Sequence, residues 1–522
     1  MKTSKLGLVL IMGALSLSAC SSETKPTPGD ASSSPQASSP SASAAQQKEK
    51  LKLNWFVNGP NNSILPSKDQ DFVKKVIEEK FNVDLSIEHM QVGDEATTKL
   101  NLKLASGQAP DMFMAEGRAS QKYIIDGVVQ DLTKIMTPET MPNYYKYWTN
   151  PEELKRFQVE NVFKRALVPY SSRGYISSYY IRKDWLDKLN LKMPETYDEM
   201  IKVMEAFTFQ DPDGNGKNDT YGLTEAGGGA SVPQFPEFYK HGLYSNLMLE
   251  NNELIDAYTD TRIQQVFEDL LVTINKGIID KDWFLQKGEE AFNKAVQGRV
   301  GIINSWNKNE AFDNNVNGLQ YKSKEVLKKA GQEEAAKKVD WQPIHPWAKT
   351  GVQVEALPGH LIMFGLNTSP EKVKRSVEIL DWLASEEGFL LTRFGKEGVH
   401  YKKNGKQIVI DPDAFKKDVT DQGNFLSIYS FFSNGDPDKL GLLITAPNET
   451  DRDRLITQKL ATYVIKPSVG TSLAPPAGLD IGAFRKEMRA YHAKMLFDDK
   501  SASKWPTYRS ELMTKYKGKE IF

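Results

Sequence analysis

The stretch LKLNWFVNGPNNSILPSKDQDFVKKVIEEKFNVDLSIEHMQVGDEATTKLNLKLASGQAPDMFMAEG, residues 51–117, decides the fold class. It opens by alternation, with Leu51, Leu53, Trp55 and Val57 on one side, the period of a half-buried strand. Asn58-Gly59-Pro60-Asn61-Asn62 interrupts that strand with turn-forming residues. Phe72, Val73, Val76 and Ile77 then share one helical stripe. Val83, Leu85 and Ile87 alternate again, and Leu100, Leu102 and Leu104 belong to a second helix that Gly107 is placed to stop. Residues 109–114 read as a third, buried strand that ends at Glu116-Gly117. Strand, helix, strand, helix, strand predicts an α/β layer with parallel strands.

The same alternation returns downstream. Residues 177–182 read as a strand, followed by a short helix around Trp185, Leu186 and Leu189. After Pro194, Thr196-Tyr197-Asp198-Glu199 is a capping box for a helix that turns Met200, Val203, Met204 and Phe207 inward. Residues 291–298 read as a helix, and Val300-Gly301-Ile302-Ile303 as a strand that exits at Asn304-Ser305-Trp306-Asn307. Residues 361–366 form another apolar strand and 373–385 another amphipathic helix. No repeat of fixed short period is present, which argues against a solenoid or propeller. With 522 residues, 39% hydrophobic and 26% charged, the body is too large for one sheet and one core, so two lobes are expected. The chain carries 67 basic and 68 acidic side chains, a formal net charge of −1. Such a balance gives no long-range positive field and argues against a nucleic-acid partner.

Upstream of residue 51 the sequence reads as an address and a tether. Lys2 and Lys5 precede an apolar run over residues 6–17, and Ser18 and Ala19 follow, the layout of a secretory signal over residues 1–19. Leu17-Ser18-Ala19-Cys20 resembles the bacterial lipobox, in which the cysteine sulfur is lipidated and becomes the first residue of the mature chain. Cys20 is the only cysteine, so no intrachain disulfide can form. Acyl chains contribute roughly 0.8 kcal/mol per buried CH₂, enough for a multi-acyl anchor to hold a protein at a membrane face. Residues 20–50 are rich in Ser, Ala, Pro, Thr and Gln and read as a flexible stalk. No later segment approaches the ~20 apolar residues that a membrane helix needs. The expected location is the extracellular face of the cell membrane, with the chain anchored through Cys20.

The body also carries a specific resemblance. Asn101-Leu102-Lys103-Leu104-Ala105-Ser106-Gly107-Gln108-Ala109-Pro110-Asp111 resembles a stretch of the extracellular solute-binding proteins of ATP-driven (ABC) importers. Ser178-Tyr179-Tyr180-Ile181-Arg182-Lys183-Asp184-Trp185-Leu186, continued by Pro194-Glu195-Thr196, resembles a second signature, that of the oligosaccharide-binding lipoprotein branch. Residues 211–222 and Gly395-Lys396-Glu397-Gly398-Val399-His400-Tyr401 resemble a third and a fourth, in the same order. The resemblance implies an α/β, two-lobe periplasmic-binding-protein-like fold of type II, with a ligand cleft between the lobes and chain crossovers at a hinge. It implies a solute-binding domain over 51–522, with lobe 1 near 51–175 plus part of 355–420, and lobe 2 near 183–350 plus the C-terminal helices. The implied partners are an oligosaccharide and the permease subunits of an ABC transporter, with the protein acting as a monomer.

Sugar recognition needs flat apolar faces for ring C–H groups and fixed polar groups for hydroxyls. Trp306, at a strand exit among Asn304, Ser305 and Asn307, is a candidate stacking platform, and Trp347 after Pro346 is a second. Asn58 and Glu116, just after N-terminal strands, are candidate polar contacts, as is Tyr180. Arg182 has the fork that pairs with a uronate or sulfate, or it braces the hinge through a nearby carboxylate. In the resembled family the loop holding Glu397, His400 and Tyr401 helps bind ligand; a satisfied turn with solvated charge is the plainer reading. Asp211, Asp213, Asn215 and Asp219 occupy the first, third, fifth and ninth positions of a calcium-type loop, with Gly216 at the sixth and the Lys217 carbonyl at the seventh. Gly222 stands where an EF-hand needs Glu, and Thr220 where similar binding proteins place Glu, so an EF-hand switch is ruled out and a structural calcium ion stands against a metal-free turn.

The six histidines form no metal-spaced set, and the chain has no Walker loop, GxSxG elbow or cysteine nucleophile in its body. A glycosidase needs only a carboxylate pair, which spacing does not select. The reading is therefore a non-enzymatic, lipid-anchored binding protein that requires no cofactor and can hold a structural calcium ion. A surface-anchored carbohydrate-active enzyme and a binder of peptides or other small solutes are the alternatives.

Overall fold

Residues 49–522 are described in a computed structural model of the chain, apart from 61–62, 160, 174, 433–434, 446–448, 469 and 471–477. The signal sequence 1–19, Cys20 and the stalk up to residue 48 lie outside the described residues. The strands that position the site are β1 (Leu51–Gly59), β2 (Val83–Gln91), β3 (Met112–Glu116), β4 (Ala166–Leu167), β5 (Ser178–Arg182) and β6 (Tyr221–Thr224). The hairpin β7 (Leu247–Glu250) and β8 (Glu253–Asp256) follows, then β9 (Val300–Ser305), β10 (Trp341–Ile344), β11 (Gln353–Val354) and β12 (His360–Phe364).

The first sheet has the order β2-β1-β3-β12-β4. Its first three strands are parallel, as the alternation of residues 51–117 predicts, whereas β12 is antiparallel to both β3 and β4. The helix Phe72–Phe81 joins β1 to β2 because both its ends are specified locally. Asp71 accepts from the Lys74 N–H at 2.9 Å, and Asn82 takes the left-handed conformation (φ 51°) that ends the helix. Leu53, Trp55, Val57, Leu85, Met112 and Met114 point to one side, where they meet Tyr144, Trp148, Phe157, Val377, Trp382 and Phe389. Phe56, Phe113 and Met363 point to the other, against Leu100 and Tyr123.

The second sheet has the order β10-β5-β9-β6, with β5 antiparallel to both neighbours and β6 parallel to β9. The capping box at Thr196/Glu199 starts the helix Tyr197–Phe209 where expected. That helix lies so close to β9 that the Phe207 ring leaves no room for a Cβ on Gly301. Tyr179, Ile181, Leu223 and Ile302 join this helix, the helix Ile263–Asn275 and the C-terminal helices around Phe484, Met488, Trp505 and Leu512 in one core. On the sheet's other side, Tyr180, Ile303 and Trp341 pack on Ile456, Leu460 and Tyr463. Burying side chains of this size stabilises each core by roughly 1.5–3 kcal/mol per large apolar residue.

Candidate functional site

The topology itself locates a cleft. The chain leaves the first sheet at Leu167 and enters the second at Ser178; it leaves the second at Ile344 and re-enters the first at His360. In register, His360 lies opposite Glu116 and Leu361 opposite Leu167. One edge of the first sheet therefore gathers the ends of β1 and β3, the exit of β4 and the start of β12. In the second sheet Ser178 lies opposite Ser305, and Tyr179 opposite Ile344. Its matching edge gathers the ends of β6, β9 and β10 and the start of β5. The segments 168–177 and 345–359 run between these two edges, and both edges turn toward the crossings.

The crossings are bonded to one another. Gln353, only 1% exposed, accepts from the Ser177 N–H through Oε1 (2.5 Å) and donates through Nε2 to the Tyr175 carbonyl (3.0 Å). The Ala356 N–H donates to the Ser172 carbonyl, and β11 pairs in parallel with the short strand Ile465–Lys466. Arg156 links Glu153 of the first lobe to Glu355 of the crossing, and donates as well to the Ser468 carbonyl. Backbone and side-chain bonds thus join three passes of the chain into a hinge.

At the second sheet's edge, Trp306 follows β9 and is 48% exposed, a high value for an indole. Its carbonyl accepts from the Ile176 N–H at 3.3 Å, which sets it beside Tyr175, itself 61% exposed. Trp347, half-buried after β10, stacks on Tyr239 with centroids 5.3 Å apart and an interplanar angle of 27°. His345 stands among Tyr179, Tyr239, Trp347 and Tyr463. Its Nδ1 accepts from the Trp347 N–H, its Nε2 has no partner among the described residues, and burial pushes the imidazole down to about 3. Glu225 follows β6; the residue is half-exposed, but its Oε1 is enclosed without a partner among the described residues, and burial pushes its carboxyl up to about 8. At neutral pH that carboxyl is protonated and can donate as well as accept.

At the first sheet's edge, Asn58, Glu116 and His360 line one shallow depression with Thr97 and Tyr123. Asn58 is nearly enclosed, Glu116 is exposed, and burial holds His360 below its ordinary pKa against the pull of Glu116. The edge of one sheet thus offers an amide and an acid, and that of the other offers indole and phenol faces.

Apart from Asn58, four sequence-selected residues lie inside the protein. Tyr180 is fully buried and donates its hydroxyl to the Asn307 carbonyl at 2.9 Å. Arg182 ends β5, and because β5 runs away from the crossings, it sits at the far edge of the second sheet. There its guanidinium pairs with Asp184 (2.8 and 2.5 Å) and covers the Trp185 ring. His400 is fully buried, with Nδ1 accepting from the Lys396 N–H and its ring stacked on Phe72. Tyr401 is 5% exposed and starts a hairpin, and Glu397 on the same turn is exposed. Tyr180, Arg182 and His400 thus have polar groups bonded to partners within the protein.

The loop 211–219 has the expected turns, with positive φ at Asp211, Gly214 and Gly216. Asp211 accepts from the N–H groups of Gly214, Asn215 and Gly216, all at 3.0 Å, and against its desolvation these bonds hold its carboxyl below the usual range. Asp213 is pushed up, first by burial and then by Asp211. Asp213 Oδ2 and Asp219 Oδ1 converge on Asn215 Nδ2 at 2.9 and 3.0 Å, and Asp219 also pairs with Arg299. The Lys217 N–H donates to Asn215 Oδ1.

Tyr175, Glu225, His360 and the hinge residue Gln353 are not identified by sequence reasoning. Each flanks or begins a strand, or lies in a crossing, and nothing in the local pattern separates them from ordinary turn residues until strand order and direction are known.

Residues 66–388 match the profile of the family described as bacterial extracellular solute-binding protein. The chain is 25% identical over 385 residues to the polygalacturonan/rhamnogalacturonan-binding protein YtcQ of Bacillus subtilis (strain 168), covering 71% of this chain and 70% of that one. It is similar in fold to a solved HMO-binding, ABC-transporter-associated solute-binding protein from Bifidobacterium longum infantis ATCC 15697. That match has a TM-score of 0.66 and 16% identity, and covers 90% of this chain and 97% of the other. An EF-hand mutant of the Streptococcus pneumoniae ABC-transporter substrate-binding protein FusA, in complex with fructo-nystose, matches with a TM-score of 0.57 and 15% identity over 90% and 98% of the two chains.

Proposed function

Because this chain belongs to the bacterial extracellular solute-binding protein family, we propose that it captures an oligosaccharide between its two lobes and delivers it to an ABC permease. The observation that carries the ligand class is the pairing of exposed Trp306 and Tyr175 at one sheet edge with Asn58 and Glu116 at the other. Aromatic faces meet the C–H side of sugar rings, while amides and carboxyls meet hydroxyls. Relatives whose names record polygalacturonan/rhamnogalacturonan and fructooligosaccharide binding support the same class. These relatives are binding proteins rather than enzymes.

In this reading lobe 1 comprises about 51–175 with the first sheet's later segments, and lobe 2 about 183–350 with the C-terminal helices. Ligand touching both edges favours closure over the hinge, since only contacts that differ between open and closed states shift that balance. Trp306, Trp347, Asn58 and Glu116 contact the sugar, with Tyr175 and Glu225 beside them and exposed Glu397 at the margin. Cys20 anchors the chain by lipid at the outer membrane face, and the protein works as a monomer. A structural calcium ion is held by the side chains of Asp211, Asp213, Asn215 and Asp219 and by the Lys217 carbonyl. The calcium-type spacing of the oxygen-bearing side chains and the tight turns at Gly214 and Gly216 support that reading.

The test is calorimetric and thermal-shift titration with a panel of neutral and acidic oligosaccharides, peptides and monosaccharides, with chromatography of the sugars afterwards. Saturable binding of an intact oligosaccharide is expected. Binding of peptides alone, or recovery of cleaved sugar, would reject this function.

A further inference from the structure

We propose that lobe 2 carries an outer subsite for the distal units of a long, uncharged oligosaccharide, in the groove along the helix Gly288–Val296. This rests on the oligosaccharide reading above and extends it to chain length and charge. Leu285, Gln286, Glu290, Asn293, Lys294 and Gln297 line the groove, whose volume is about 510 Å³. That is within the range of roughly 300–1,000 Å³ common for ligand pockets.

Four of these residues follow the spacing that places side chains on a single helical face: 290, 293, 294 and 297. Glu290, Asn293 and Gln297 are exposed, and Leu285 beside them is 74% exposed. An amide, an amide and a carboxyl next to an aliphatic surface suit a sugar's hydroxyls and its C–H face. Lys294 supplies no free positive charge, because its Nζ is held by Asp280 (2.8 Å) and Asp282 (2.8 Å). A uronate would meet Asp282 and Glu290 here with no unpaired cation among the lining residues, so an uncharged chain fits better.

Gln286 ties the groove to the cleft. It is only 5% exposed, and its Nε2 donates to Thr224 Oγ1 at 2.6 Å and to the Glu225 carbonyl at 2.7 Å, at the end of β6. Its Oε1 is enclosed, with no hydrogen-bond partner among the described residues, so the amide is fixed by its two donated bonds and holds the groove to this strand end. The groove therefore begins at the edge that holds the proposed inner site, and a chain seated there can run outward along the helix.

The test compares the full chain with the double variant Asn293→Ala/Gln297→Ala, titrated with linear neutral fructo-oligosaccharides and neutral milk-type oligosaccharides from trisaccharide to octasaccharide. Both substitutions are on an exposed helical face, and alanine favours helix, so folding is retained. In the unsubstituted protein, affinity should rise with length. In the variant, trisaccharide affinity should stay within about twofold, while the long chains lose roughly five- to tenfold, the effect of about two hydrogen bonds. A flat length profile in the unsubstituted protein, or an unchanged length dependence in the variant, overturns the outer subsite while leaving the oligosaccharide function standing. Tighter binding of an oligogalacturonate series than of neutral chains overturns the charge assignment. Binding of no oligosaccharide overturns both readings together.

Discussion

Replacing His492 by phenylalanine should change how stability depends on pH, by an amount the structure sets. His492 lies in the helix Ile481–Ala493 at 1% exposure, with centroids 4.8 Å from Phe267, 5.4 Å from Trp505 and 6.2 Å from Tyr258. Among the described residues neither ring nitrogen has a partner at hydrogen-bond geometry. Burial pushes the imidazole down to about 3, against an upward pull from the Tyr258 main chain, and Arg485 lowers it further. In the unfolded chain the same group titrates near 6.5. Above that pH neither state is protonated and the group costs nothing through linkage. Below it the unfolded state takes up a proton that the folded state refuses, so stability falls by about 1.4 kcal/mol per pH unit until the folded pKa is reached. Between pH 7 and pH 5 the loss from His492 alone is about 2 kcal/mol. His345, also near 3, adds a loss of the same sign, whereas Glu225, held near 8, relaxes as the pH falls and opposes it. Comparing the two proteins cancels those shared contributions. Urea unfolding at pH 7 and pH 5, followed by tryptophan fluorescence, should show His492→Phe losing about 2 kcal/mol less than the unsubstituted protein. Equal losses, or a folded-state imidazole resonance titrating near 6, would refute the argument that this ring is held neutral by burial.

Trp306→Leu should weaken oligosaccharide binding by at least about tenfold, measured by calorimetry, with unchanged thermal unfolding because the indole is half-exposed. Gln353→Ala leaves the Ser177 N–H and the Tyr175 carbonyl without their partner. It should reduce stability by about 2–4 kcal/mol in denaturant unfolding, and a loss under about 0.5 kcal/mol would remove Gln353 from the hinge's supports. Chelator-stripped protein should bind calcium in a calorimetric titration, and Asp211→Ala should abolish the heat. Absence of heat in the unsubstituted protein means that 211–219 is a metal-free turn.

What the sequence reveals about this protein depends on how local the determining physics is. The succession β1–helix–β2–helix–β3 is legible because alternation, stripe and stop signals act over a few residues, and the capping box at Thr196 is legible for the same reason. The place of β12 is not. Its apolar run marks His360–Phe364 as a strand, but its insertion between β3 and β4 depends on pairing with residues far away in the chain, which no local pattern encodes. The candidate site inherits that limit. Trp306 and Arg182 look alike in sequence, each at the end of a strand beside polar residues. In space β9 runs toward the crossings and β5 runs away from them, so Trp306 lies at the edge facing the crossings and the guanidinium reaches Asp184 at the opposite edge. Strand direction decides which strand ends can meet a ligand, and direction is set by where the chain crosses between lobes. Gln353 is the limiting case. Its side chain fastens two crossings, yet its neighbours, Gly351, Val352, Val354 and Glu355, carry no pattern that distinguishes a buried amide clamp from a surface turn. The residues that shape the cleft are therefore those whose meaning depends on topology, and they become readable once the two sheet edges and the passes between them are known.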